Sequence, residues 1–273
     1  MFLVIAEKPS VSQALAKALG ARDREDGYLS GQDCIVSWCL GHLAEYETPE
    51  YYDSRYEKWE FAVLPIIPED WQLAVAKDKK TQFAVLKKLL NRKDLDYVVN
   101  ACDAGREGEL IFKRVYDLSS SKIPVKRLWI SSMEDSAIRE GFSNLKDGSV
   151  YENLCEVSVC RAKADWLIGM NATRAFTTKY YKRLTVGRVQ TPTLAMLVER
   201  QEAIDGFVKE AYYKVTVEGS GIHAVSENIK DEADSLALAE QCNGQPAVVS
   251  AIEKIRKKNK PPKLYDLTTL QRE

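Results

Sequence analysis

Phe2-Leu3-Val4-Ile5-Ala6 is an unbroken apolar run that stops at Glu7-Lys8-Pro9-Ser10. A strand with one solvated face alternates apolar and polar residues, whereas an unbroken run marks a strand covered on both faces, as in a parallel sheet flanked by helices. A helix follows at once: Ser10 and Gln13 have capping-box spacing, Leu15 and Leu19 share a face, and Gly20 ends the pattern. The cadence recurs. Strands are expected over Cys34–Cys39, over Tyr97–Cys102 with a helix running to about Leu118, and over Arg127–Ile130 with a helix beginning near Glu134. Residues 1–150 thus read as an α/β domain, a parallel-rich sheet with helices on both faces.

The pattern then changes. Long helical stretches occupy Tyr151–Thr178 and Thr191–Ile204, separated by Gly187, so residues 151–205 read as a mostly helical domain. Alternation returns at Tyr212–Val217 and Ala247–Ile255, giving the first strands of a third, β-rich unit over 206–273. Lys254–Lys263 is basic, contains Pro261-Pro262 and reads as a linker, and Leu267–Glu273 resembles the opening turns of a helix.

Composition excludes several classes. Six cysteines form no C-x-x-C pair and only His42 and His223 are present, so no zinc site is expected. The cysteines in apolar runs read as small core residues in a reducing compartment. The first apolar run is broken after six residues by Glu7 and Lys8, too early for a signal peptide or a membrane span; a cytoplasmic protein without a membrane partner is expected.

Two segments carry chemistry: Glu7-Lys8-Pro9-Ser10 and Asp103-Ala104-Gly105-Arg106-Glu107-Gly108-Glu109. Each lies just past the C-terminal end of an expected parallel strand, the edge where open α/β sheets bind ligands. If the two strands are neighbours, Glu7, Asp103 and Glu107 converge, and their mutual repulsion is relieved by a hard divalent cation such as Mg2+. Gly105 and Gly108 would let the backbone turn and start a helix, while Lys8 and Arg106 would face phosphate oxygens. The bland alternative is a pair of solvated carboxylates near a helix N-terminus.

A second feature lies between Cys160 and Gln190. Arg161, Lys163, Arg174, Lys179, Lys182, Arg183 and Arg188 are opposed by Asp165 alone, with Trp166, Phe176, Tyr180 and Tyr181 interleaved. Rings beside cations suit single-stranded DNA, although a solvated basic helix would read the same by charge.

Together these motifs resemble the type IA DNA topoisomerases, and the first two resemble their Toprim domain. The match extends to Arg161-Ala-Lys163-Ala-Asp165-Trp166-Leu-Ile-Gly169-Met-Asn171-Ala-Thr173-Arg174 and to Thr185-Val186-Gly187-Arg188-Val189-Gln190-Thr191-Pro192. Asp53-Ser54-Arg55-Tyr56 with Trp59 resembles the topoisomerase III branch, though Trp59 reads equally as a half-buried core aromatic. The resemblance implies a Mg2+ site of Glu7, Asp103 and Glu107. It further implies catalytic roles for Glu7, which exchanges a proton with the 3′ oxygen of the cut strand, and for Lys8 and Arg106 at the phosphate. The DNA contacts it implies are Trp59, Arg161, Trp166, Arg174, Thr185, Val186, Gly187, Arg188, Val189 and Gln190. The partner would be single-stranded or underwound duplex DNA, with no ATP needed, and the strands after 206 would begin the family's arch. The sequence departs from the family's D-x-D-x-E at Gly105, where a second carboxylate would stand. His42, in Gly41-His42-Leu43, is given no catalytic role.

Family members cut one strand with the tyrosine of a Tyr-Pro-Arg signature, and these 273 residues contain none. Tyr265 resembles the lead into the tyrosine-bearing domain. The expectation is an N-terminal portion, inactive by itself, of an enzyme that relaxes or unlinks DNA through a 5′-phosphotyrosine. The alternatives are another Toprim phosphotransfer enzyme, a primase or nuclease, which the Arg161–Pro192 signature disfavours, and a non-catalytic DNA-binding truncation.

Overall fold

The computed structural model describes residues 1–246, 248–262, 264, 265 and 270. The elements in chain order begin with β1 (Phe2–Ala6), α1 (Pro9–Leu19), β2 (Asp23–Glu25), β3 (Tyr28–Ser30), β4 (Cys34–Trp38) and β5 (Ala44–Tyr46). They continue with α2 (Pro49–Tyr52), β6 (Leu73–Val75), α3 (Lys80–Leu90), β7 (Tyr97–Ala101), α4 (Arg106–Ser119), β8 (Val125–Arg127), α5 (Asp135–Ser143) and β9 (Lys146–Asp147). Then come α6 (Glu152–Tyr180), α7 (Gln190–Asp205), the hairpin β10 (Thr216–Gly219) and β11 (Ile222–Val225), and α8 (Glu232–Cys242). The chain divides into two units, Met1–Gln201 and Glu202–Glu273.

In the first unit a seven-stranded sheet has the order β2-β3-β4-β1-β7-β8-β9, with β4, β1, β7 and β8 mutually parallel and the outer strands antiparallel. The unbroken apolar run of β1 behaves as its composition requires. Leu3 and Ile5 point into one core with Leu86, Leu89 and Leu90 of α3 and Ile111, Phe112 and Val115 of α4. Val4 and Ala6 point into the other, with Leu15 and Ala16 of α1 and Ile138 of α5. Each face is therefore sealed by helices, and β1 is buried on both. The chain leaves β1 toward β4 on one side and returns to β7 on the other, so the carboxyl ends of β1 and β7 flank a crevice in an open sheet.

Local details differ from expectation in instructive ways. The capping box of Ser10 and Gln13 does not form: Pro9 takes the first helical position with Lys8 as extended N-cap, which moves Ser10 inside the helix. Gly20 ends α1 in the left-handed conformation, φ 80°, as its position suggested. The fourth strand forms over Val125–Arg127, shifted N-terminally from Arg127–Ile130, because it registers against Val98–Asn100 of β7.

The helix α6 begins against α4, where Ser158 Oγ donates to the Arg106 carbonyl at 2.8 Å. Farther along, successive turns clasp the segment that precedes β6. Trp166 donates from Nε1 to the Glu47 carbonyl at 3.1 Å and packs edge-on against Trp71 and Tyr52. Asn171 brackets the backbone of Ile66, accepting from its N–H and donating to its carbonyl. Arg174 donates to the Tyr56 carbonyl and to Glu50.

In the second unit the alternating stretch around residue 215 yields the β10–β11 hairpin. The strand expected over Ala247–Ile255 is not formed at residues 248–255, whose described neighbours offer no ladder. The helix expected at Leu267–Glu273 falls, apart from Leu270, outside the described residues.

Candidate metal centre and nucleic-acid interface

Strand register brings the two chemical segments together. Ala6 pairs with Ala101 across β1 and β7, so Glu7 and the turn that begins with Cys102 and Asp103 leave the same sheet edge side by side. Glu7 is largely buried, and its Oε2 has no hydrogen-bond partner, while Oε1 lies 3.7 Å from Lys8 Nζ. Asp103 and Glu107 are exposed. Glu107 opens the first turn of α4, and its carboxylate is engaged by two other groups: Oε2 lies 3.4 Å from His42 Nε2, and Oε1 3.8 Å from Arg161 Nη1. The expected close meeting of three carboxylates is therefore only partly realised. They share an edge, yet among the described residues no three His, Cys, Asp or Glu side chains gather tightly enough to hold a metal ion.

The donors still fit Mg2+ in kind. All are hard oxygens, and a cation at Glu7 Oε2 would satisfy a buried carboxylate oxygen that otherwise lacks a partner. For Glu107 to join, it must leave His42 and Arg161. Burial, then the neighbouring Arg114 guanidinium, push His42 below the usual imidazole range, partly countered by Glu107. A neutral His42 holds Glu107 by a hydrogen bond more than by charge.

The turn bearing Asp103 is fixed from beneath by Arg127, which is almost fully buried. Its guanidinium donates to the carbonyls of Asn100, Cys102, Asp103 and Leu128 and to Glu109 Oε1, all between 2.6 and 3.0 Å. Gly108 serves the same turn by close approach, since a Cβ there would lie 2.1 Å from the Asp103 carbonyl oxygen. Gly105 needs no such freedom. Its backbone is extended, φ 172°, and a Cβ would meet nothing within 4 Å. Sequence reasoning missed Arg127 and the His42–Glu107 contact. An arginine at the end of a short strand carries no local sign of being buried, and a lone histidine none of its neighbour.

The basic stretch divides into outward and inward members. Arg188, Val189 and Gln190 are exposed, as are Thr185 and, at the start of α4, Arg106. The segment approaching α7 is laced along α6: Thr177 Oγ1 accepts from Leu184 N, and Thr173 Oγ1 from Val186 N. The Gly187 N–H donates to Thr191 Oγ1. Arg188 pairs with Asp165 at 2.5 Å, and Arg161 reaches toward Asp165 at 4.0 Å. Trp166 and Arg174 instead face inward, with their polar groups committed to protein partners as described above. Arg174 also lies over the ring of Trp59, 5.0 Å from its centroid, and Trp59 is partly exposed.

Comparison with known proteins assigns both halves. Residues 2–133 match the Toprim domain, and residues 149–273 match the DNA topoisomerase family. The chain is 44% identical to DNA topoisomerase 3 of Shouchella clausii and equally to that of Bacillus subtilis, over 99% of its own length. It belongs to the type IA DNA topoisomerases. The fold agrees: full-length topoisomerase I from Thermotoga maritima superposes with a TM-score of 0.59 at 22% identity, covering 86% of this chain and 37% of that one.

The chain spans 38% of the length of those two relatives. Among the described residues, no helix is long and apolar enough to cross a membrane.

Proposed function

We propose that this chain supplies the Mg2+ site and the single-strand grip of a topoisomerase III-like enzyme that breaks and rejoins one DNA strand through a tyrosine. The observation that carries this reading is the pairing of β1 with β7, from whose adjacent ends Glu7 and Asp103 emerge, with the Arg161–Arg188 surface linked to Glu107. Residues 1–150 would serve as the Toprim portion, 151–205 as the helical DNA-binding portion, and 206–273 as the start of the arch. Location in the cytoplasm fits this role.

Glu7, Asp103 and Glu107 would hold Mg2+, which when bound neutralises charge on the scissile phosphate. Glu7 would take and return the proton of the 3′ oxygen, a role supported by its buried carboxylate oxygen that lacks a protein partner. Lys8 and Arg106 project from the same edge, where their cations face phosphate oxygens. Arg161, Arg188 and the segment Thr185–Gln190, whose Thr185, Arg188, Val189 and Gln190 are exposed, would follow the strand. Trp59 would offer a ring to a base, held from behind by Arg174. In this reading Trp166 and Arg174 act by fixing the segment before β6 to α6. The activity requires no ATP and no zinc.

Fluorescence anisotropy with a labelled oligothymidylate tests this. Binding should weaken steeply with salt, favour single strands over duplex of equal length, and respond to Mg2+. A supercoil-relaxation assay of the 273-residue chain should show no turnover, since the chain lacks the Tyr-Pro-Arg nucleophile. Equal affinity for duplex, or relaxation by the chain alone, would overturn the reading. Mg2+-dependent hydrolysis of the oligonucleotide would favour a Toprim nuclease.

A further inference from the structure

Glu107, Arg161, Asp165 and Arg188 form a continuous line of charges of alternating sign. It runs from the metal edge of the sheet to the segment preceding α7, with separations of 3.8, 4.0 and 2.5 Å. Asp165 is the one carboxylate between Cys160 and Gln190, and it is shared by two arginines. Arg161 is likewise shared, held loosely between Glu107 and Asp165. Glu107 has a second partner in His42, and with it held there no three-carboxylate cluster forms among the described residues.

From this arrangement we propose that Asp165 is a positioning residue that couples occupancy of Arg188 by a DNA phosphate to release of Glu107 toward the metal. The proposal rests on the functional reading above. In the free chain Arg188 neutralises Asp165, which leaves Arg161 available to Glu107. A phosphate that takes Arg188 leaves Asp165 uncompensated. Asp165 then draws Arg161 across, and Glu107 loses one of its two holds. By linkage the effect is reciprocal: a cation that takes Glu107 returns Arg161 to Asp165 and frees Arg188 for phosphate. All four side chains are one-third to just over one-half exposed. Half-exposed pairs of this kind support a coupling of about two- to fivefold.

Calorimetric titration of Mg2+ into the 273-residue chain, alone and saturated with an eight-nucleotide oligothymidylate, measures the coupling as a ratio of dissociation constants. Direct attraction between phosphate and Mg2+ contributes to that ratio in every variant, so the relay is read from how the ratio changes. Asp165→Asn should lower it by about two- to fivefold and raise metal-free affinity for the oligonucleotide, because Arg188 is released. Asp165→Glu should restore the ratio, and Glu140→Gln, on the outer face of α5, should leave it as in the parent chain. Arg188→Gln should tighten Mg2+ without any DNA. Circular dichroism confirms folding, and if Asp165→Asn fails to fold, Arg188→Gln decides the matter. A ratio unchanged in a folded Asp165→Asn chain, or Mg2+ affinity unchanged in Arg188→Gln, sinks the relay while leaving the general reading standing. Absence of both Mg2+ and DNA binding in the parent chain sinks both.

Discussion

Arg127 and Asp103 are joined through the main chain: Nη2 of the buried arginine donates to the Asp103 carbonyl at 2.7 Å, while Nε pairs with Glu109 at 2.6 Å. A charge paired inside the sheet thereby sets the position of a carboxylate on its surface. The link runs through backbone, so the exposed side chain of Asp103 stays free for a ligand.

Replacing Arg127 by Met should cost about 3–5 kcal/mol, because Glu109 becomes an unpaired buried charge and several carbonyls lose their donor. Adding Glu109→Leu should recover part of that loss and not all of it, since the carbonyls of Cys102 and Asp103 remain unsatisfied. Urea unfolding measures both. A loss under about 1 kcal/mol for the single variant would show that the arginine is not the clamp described.

The two glycines of the turn should respond oppositely. Gly108→Ala forces a methyl into the Asp103 carbonyl and should destabilise the unit by roughly 1–3 kcal/mol despite alanine's helix propensity. Gly105→Asp has open space and an extended backbone. It should fold and tighten Mg2+ by roughly three- to tenfold through an added carboxylate ligand. In the absence of metal, added repulsion beside Asp103 should make the variant slightly less stable than the parent. Thermal melts with and without Mg2+ separate these effects, and a Gly105→Asp chain stabilised no more by Mg2+ than the parent would count against the metal assignment.

Arg174→Ala should lower stability by about 2 kcal/mol, a value reduced from that of a fully buried pair because Glu50 is about one-third exposed. It should also shift the emission of Trp59, which loses the guanidinium over its ring. If Arg174 acted only by touching DNA, the melting temperature of the free chain would not move.

Alkylation at mildly alkaline pH should sort the cysteines by environment. Burial pushes the Cys155 thiol up to about 11 and raises Cys34, while a hydrogen bond with Cys39, then burial, raises Cys102, so these three should stay protonated and protected. Cys160 and Cys242 are exposed and should react. Mass spectrometry of the modified chain gives the answer, and rapid labelling of Cys155 would contradict the packing of α6 against α4.

Much of the fold was legible because it depends on local pattern. An unbroken apolar run followed by Glu-Lys-Pro-Ser announces a two-sided buried strand ending at a helix, and β1 and α1 are that. The acidic turn after β7 was equally plain, since a strand-to-helix junction is written in contiguous residues. Where prediction slipped, a nonlocal partner decided. The fourth strand was fixed by register against β7, and residues 248–255 alternate in sequence but find no ladder among the described residues.

The sequence by itself determined which residues could reach one sheet edge, because strand period and helix starts follow from backbone geometry and side-chain burial. Only the tertiary structure decided what those residues do with their charges. It turned Arg174 and Trp166 inward, buried Arg127 beneath Asp103, and handed Glu107 to His42 and Arg161. Such choices depend on the distance between groups far apart in the chain and on how much water remains between them, and neither quantity is encoded in any short stretch of sequence.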